Sequence, residues 1–205
     1  MEYYIYNVPV FVTDPTQEGV DVGVFCQEVE EILPPQLLAG VDVVYIGKFE
    51  ELADRNATFA NGGIYMTSAE PANFDMVENF IHEVAHSLEA TYGMEIYTND
   101  LHQEFLGKRH KLYYLLNNEG YHLNQEAYAN TEYNKEFDSF LANVVGYPLL
   151  LNLTMGLFIS PYGATSMGEY FANGFEKYFL GDATALRKIS PVLYRKIEKI
   201  INDET

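Results

Sequence analysis

A single cysteine, Cys26, in 205 residues leaves no partner for an intrachain disulfide and no second thiolate for a metal cluster. Basic residues are also scarce. Twelve Lys and Arg stand against thirty Asp and Glu, a formal net charge of -18, which argues against a nucleic-acid partner unless the few cations cluster tightly. Much of that acidity serves solubility, and it predicts that a substrate, if selected by charge, carries a basic segment. The opening Met1-Glu2-Tyr3-Tyr4-Ile5-Tyr6-Asn7 lacks both a basic start and a continuous apolar run. It is therefore not a secretory signal peptide, and the expectation is an intracellular chain or an already mature secreted form.

Between Asp138 and Glu169 there is no charged residue at all. Val144–Ile159 is apolar enough to resemble a membrane span, but Gly146, Pro148, Asn152, Thr154 and Gly156 interrupt it, so no block of about 20 good apolar residues exists. A buried helix or loop pair is expected instead. The chain also lacks internal repeats, low-complexity tracts and long linkers.

What is present is apolar and aromatic: 48% hydrophobic residues, with 17 Tyr and 13 Phe, are ample for one domain with a sizeable core. Tyr3–Val12 reads as a strand, and Val24–Leu33 as a helix stopped by Pro34-Pro35. Val41–Ile46 and Gly63–Thr67 read as further strands, the latter entered through Asn61-Gly62-Gly63. From Asn73 the period becomes helical, with Val77, Ile81, Val84, Ala85 and Leu88 on one side and Gly93 placed to end the helix. Later helices are expected near 101–117, 124–145, 167–180 and 189–202. The fold class is therefore α+β in a single domain spanning 1–205, with a small strand-rich lobe over about 1–70 and a helical lobe over 71–205.

Within the helix from Asn73 stands Phe80-Ile81-His82-Glu83-Val84-Ala85-His86, a His-Glu-x-x-His pattern. Positions i and i+4 lie one turn apart on one helix face, so both imidazoles can reach one ion while Glu83 projects beside a metal-bound water. Zinc lowers the pKa of such a water and polarises a carbonyl, and the carboxylate takes the proton. The composition makes about 0.01 chance matches to the pattern in a chain of this length. A surface helix with two solvated histidines is the bland alternative, weakened by the apolar residues around them.

A catalytic zinc needs a third protein ligand. The metzincin pattern is excluded, because it requires Gly at 89 and His at 92 where Glu89 and Tyr92 stand. His102, His110 and His122 are formally possible. Glu169, in Ser166-Met167-Gly168-Glu169, is a better candidate, although its spacing from Ser166 equally suits a capping box; Glu176 is in reserve.

Phe80-Ile81-His82-Glu83-Val84-Ala85-His86, Ser160-Pro161-Tyr162-Gly163 and Gly168-Glu169-Tyr170-Phe171-Ala172 together resemble the catalytic domain of the anthrax lethal factor family, which includes the Pro-Pro endopeptidases. Leu33-Pro34-Pro35-Gln36-Leu37-Leu38, Val43-Val44-Tyr45-Ile46-Gly47 and Ser190-Pro191-Val192-Leu193-Tyr194-Arg195-Lys196-Ile197 extend the resemblance to roughly residues 30–200. It implies a zincin-like fold of gluzincin type with the active-site cleft between the lobes. It also implies one zinc held by His82, His86 and Glu169, Glu83 as general base and acid, and Tyr162 as oxyanion partner. Gly63, Ile64, Tyr65 and Met66 take the place of the substrate-binding edge strand, which holds an extended peptide by strand addition. The segment from Tyr97 to Asn130 matches none of the family's landmarks.

The activity so expected is endopeptidase cleavage of a peptide or protein substrate. The same groups would serve a non-peptide amide, and a protein of a larger assembly that retains the fold without using it is the rival from another class. Oligomeric state does not follow from the sequence.

Overall fold

A computed structural model describes residues 2–53 and 55–203. The chain divides into two compact units, one made of Met1–Gly93 with Ile201–Thr205, the other of Met94–Ile200.

The first unit is built on a mixed five-stranded sheet. Its first two strands correct the expectation of one strand from Tyr3 to Val12: β1 (Tyr3–Ile5) and β2 (Val8–Val12) form an antiparallel hairpin in which Ile5 pairs Val8. The chain reverses at Tyr6, which has φ 53. A bulky residue is costly in that left-handed region, and α1 (Val22–Ile32) holds it there: the Tyr6 N–H donates to Glu30 Oε1 at 2.5 Å and its hydroxyl to the Glu30 and Leu33 carbonyls. α1 begins two residues before its expected start, because Asp21 accepts from the Gly23 and Val24 N–H groups as N-cap.

From α1 the chain passes to β3 (Val43–Gly47), then β4 (Ala57–Ala60) and β5 (Gly63–Thr67). The order across the sheet is β1-β2-β3-β5-β4, with β3 parallel to β2 and β5, and β4 antiparallel to β5. Asn61 (φ 50) and Gly62 (φ 79) form the two-residue turn between β4 and β5, the strongest short hairpin signal a sequence carries. The positive φ at Gly62 suits glycine, and a Cβ there would also require the exposed Asp42 carboxylate, 2.3 Å away, to move aside.

This order corrects the expectation for Gly63, Ile64, Tyr65 and Met66. They do lie in a strand, but β5 is paired on both sides and is no edge; the edges are β1 and β4. With Ile64 and Met66 fully buried, β5 is a core strand.

α2 (Asn73–Ile96) packs on this sheet unit through Met76, Val77, Phe80, Ile81, Val84, Ala85 and Leu88, all buried, and Phe80 meets Phe25 of α1 edge to face at 5.7 Å. It runs through Gly93 rather than ending there. A mid-helix glycine costs about 1 kcal/mol, and the full burial of Ile96 three residues later offsets that cost.

Cys26 of α1 is buried, and its desolvation, followed by the nearby Glu30 charge, pushes the thiol pKa up to about 12. At pH 8 its thiolate fraction is therefore about three powers of ten below that of an ordinary thiol. Native protein should resist alkylation by iodoacetamide at that pH and react fully in denaturant. Rapid labelling of the native chain would contradict this burial.

The second unit is helical. α3 (Asn99–Asn118) is followed by short helices α4 (Gln125–Ala129) and α5 (Lys135–Ser139), a wider π-type turn over Phe140–Gly146, and α6 (Tyr147–Thr154). The single helix expected over 124–145 is broken at 130–134. There Asn130 accepts from the Glu132 N–H and Asn134 caps α5 through the Phe137 N–H, so asparagine side chains outcompete the helix for backbone donors.

The charge-free stretch forms a helix pair buried on one face only. Phe140, Leu141, Val145 and Leu150 are inside, while Val144, Leu151 and Met155 are exposed, which corrects the expectation of a buried pair. Among the described residues, no helix is long and apolar enough to cross a membrane.

A single turn at Tyr162–Ala164 leads into α7 (Met167–Leu180), then α8 (Ala183–Ile189) and α9 (Pro191–Asp203). α9 lies within two residues of the helix expected over 189–202, with Pro191 opening it at a position where its missing N–H costs nothing, and α8 is an additional helix before it.

Candidate metal centre

His82 and His86 sit one turn apart on α2, their rings 5.1 Å apart between centroids and inclined by 70°. Both are half-buried, whereas the neighbouring Ile81, Val84 and Ala85 are fully buried. The helix is thus anchored by its apolar face while the imidazoles stand half-buried at its margin, not fully solvated.

Glu169, in the first turn of α7, is the third member. One ligand atom each from His82, His86 and Glu169 lie within 4.8 Å of one another, and among the described residues this is the group able to hold a metal. Neither Glu176 nor His102, His110 or His122 joins it. His102 faces the Thr98 carbonyl, His110 meets the Tyr114 ring edge to face, and His122 bonds Asn117.

The backbone and the side chain of Glu169 are engaged separately. Its backbone N–H donates to Ser166 Oγ at 3.1 Å, so Ser166 is the N-cap of α7, while its carboxylate accepts from the Tyr162 hydroxyl at 3.2 Å. Tyr162 is thereby brought against the group, its phenol pKa raised by burial first and by the Glu169 charge second. The phenol stays protonated and is a donor at neutral pH.

Glu83 is buried, and its Oε2 accepts from the Phe59 N–H of β4 at 2.7 Å. The carboxylate is therefore tied to the edge strand of the sheet. This bond is hard to foresee from the sequence, because Phe59 lies in β4, a strand marked there only by the Asn61-Gly62 pair at its end.

Glu89 was visible only as the residue that breaks the metzincin pattern. It has a use of its own: its Oε1 lies 2.6 Å from His86 Nδ1, three residues back on the helix. A carboxylate on Nδ1 favours the tautomer protonated there, which leaves the Nε2 lone pair able to take a metal. The i,i+3 spacing could have suggested this pair. Glu89→Gln is expected to weaken zinc binding about 10- to 100-fold with little change in thermal stability. Unchanged affinity in a chelator competition would reduce the contact to a surface ion pair.

The donor set itself can be tested against the metal. Two imidazoles and a carboxylate suit zinc, and ligand atoms on a tetrahedral zinc stand about 3.4 Å apart. The two imidazoles and the carboxylate supply one ligand atom each, the three protein donors such an ion takes. The residues fit the ion.

Comparison with protein-family models, curated proteins and solved structures returns no match.

Proposed function

We propose that this chain is a zinc-dependent endopeptidase of gluzincin type, with a zincin-like fold akin to that of the anthrax lethal factor and Pro-Pro endopeptidase family. The observation that carries the reading is the convergence of His82, His86 and Glu169 within 4.8 Å, two of them from a His-Glu-x-x-His helix. When bound, zinc would supply Lewis acidity, lowering the pKa of a water and polarising a carbonyl.

The chain's own groups supply the rest. Glu83, held by the Phe59 N–H, receives the proton of the attacking water and returns it to the leaving amine. Tyr162 donates to the carbonyl oxygen as that oxygen gains negative charge, a task needing no change in its own protonation. With β5 internal, the strand suited to receive an extended peptide is β4, which is an edge and bears the Phe59 contact to Glu83. The excess of acidic residues favours a substrate with a basic segment, whose cleavage should slow as salt is added.

The test is digestion of a diverse peptide library by zinc-loaded protein, read by mass spectrometry, with chelator-treated protein as control. Cleavage confined to the loaded protein supports the proposal and reports the preferred sequence. Bound zinc with no cleavage would count against it and favour a role in an assembly.

A further inference from the structure

α3, which lies in the segment that matches no landmark of the family, directs three ionisable side chains inward. Glu104 accepts from the Val192 and Leu193 N–H groups at the start of α9 and from the Tyr170 hydroxyl. Lys108, 7% exposed, donates to the Leu157 and Ile189 carbonyls, both at 2.6 Å. Arg109, 1% exposed, is the most deeply placed of the three.

Its partners are all peptide carbonyls. One terminal nitrogen donates to Ala164 at 2.5 Å and Thr165 at 3.1 Å, the other to Ala127 at 2.7 Å and Asn130 at 3.1 Å. The guanidinium also lies 4.0 Å from the centroid of the Phe137 ring. Burial lowers its pKa to about 10, which leaves it charged at neutral pH.

A buried cation is expensive unless its donors are satisfied. Here Nε is buried without a partner among the described residues, so the placement favours the four carbonyls over the guanidinium's own full satisfaction. A planar fork can serve four acceptors in one place; an ammonium cannot.

What those carbonyls belong to decides the matter. Ala164 and Thr165 fall between Tyr162 and Glu169, the seven-residue step across which the phenol reaches the carboxylate. The strap is otherwise held by local bonds: Thr165 returns its N–H and hydroxyl to the Tyr162 carbonyl, and Ser166 caps Glu169. Ala127 lies within α4 and Asn130 directly follows it, and the Thr131 carbonyl next in line accepts from the Met167 N–H. Arg109 thus ties the strap to a second piece of chain that is already bonded to the start of α7.

We propose that Arg109 is a positioning residue: by fixing the strap 161–166 to the end of α4, it sets where Tyr162 and Glu169 stand, and through them the zinc affinity and turnover of the site. The consequence for zinc rests on the function proposed above; the consequence for the strap does not.

The test compares Arg109→Lys and Arg109→Gln with Lys108→Met in the full chain. Lys108 is the control because it is the adjacent buried cation and its two carbonyls lie outside the Tyr162–Glu169 step. Three readouts are needed: amide hydrogen exchange of residues 160–169 in metal-free protein, zinc affinity by chelator competition, and kcat and KM separately.

Both Arg109 variants should speed exchange across the strap by at least about tenfold while the α9 amides keep their wild-type rates. Zinc affinity should fall about 10- to 100-fold, and kcat should fall with KM little changed. Lys108→Met should lower the melting temperature with zinc affinity intact. Arg109→Lys is the milder change, and strap exchange at the wild-type rate in it would overturn the proposal. So would an equal loss of zinc affinity in Lys108→Met. A wild type that binds no zinc would sink the functional reading alone, and strap exchange would then decide the role of Arg109.

Discussion

Glu83→Gln is expected to reduce kcat for peptide cleavage by about 100- to 10,000-fold while leaving zinc affinity close to that of the wild type. Glutamine keeps the length of the side chain, and its carbonyl oxygen can still accept from the Phe59 N–H, so the contact between α2 and β4 survives. The lost property is the ability to take up a proton. Because Glu83 is not among the three grouped ligand residues, the metal should remain. Single-turnover cleavage beside chelator competition measures both quantities. Near-normal cleavage would remove Glu83 from the mechanism, and joint loss of metal and activity would make its role structural.

The second large effect is expected at Glu169. Glu169→Gln exchanges an anionic ligand for a neutral amide and should cost more than the about 10- to 100-fold that a change behind a ligand costs. The substitution is informative because the fold around it is held elsewhere: the cap of α7 uses the Glu169 backbone N–H and Ser166 Oγ, neither of which changes. Tyr162 can still donate to the amide oxygen. The loss would therefore report the charge and ligand quality of one side chain. Zinc affinity unchanged in this variant would exclude Glu169 as a ligand and send the search to another third donor.

The two substitutions also separate from Glu89→Gln. All three touch the same group, but one removes a base, one a ligand and one the orientation of a ligand. On the proposed mechanism, loss of activity without metal loss, metal loss beyond about 100-fold and metal loss below it are the three signatures.

The residues that come together as His82, His86 and Glu169 were more legible in the sequence than the scaffold around them. The helix with His82, Glu83 and His86 was legible because its buried face recurs at Val77, Ile81, Val84, Ala85 and Leu88, a period that survives without knowledge of the partner. α7 was legible to the residue, since Ser166 marks its start and Gly181 follows its end. β5 was legible as a strand but not as an interior one, because edge position is a property of the whole sheet.

What escaped was set by tertiary contact. The reversal at Tyr6 depends on Glu30, 24 residues away, and no local turn signal announces it. β4 is four residues of Ala57-Thr58-Phe59-Ala60 with weak alternation, although the Asn61-Gly62 pair beside it could have called for a strand on its near side as well as its far one. Gly93 misled because a glycine stops a helix only where nothing beyond it gains from continuing, and Ile96 does. The roles of Phe59, Glu89 and Arg109 were hidden for a common reason: each is a contact between groups, not a residue type in a pattern.

The inward charges of α3 carry a consequence for how this fold can vary. Apart from the Tyr170 hydroxyl, every hydrogen-bond partner of Glu104, Lys108 and Arg109 named here is a peptide N–H or C=O. Any residue presents a carbonyl, and any but proline an N–H. Positions 127, 130, 157, 164, 165 and 189 can therefore change type without breaking the anchor, whereas α3 has no such freedom. In a set of diverged relatives the three anchors should then be invariant and yet show no pairwise co-variation with the segments they hold, so that methods inferring contacts from correlated substitution would miss the ties that organise this half of the molecule.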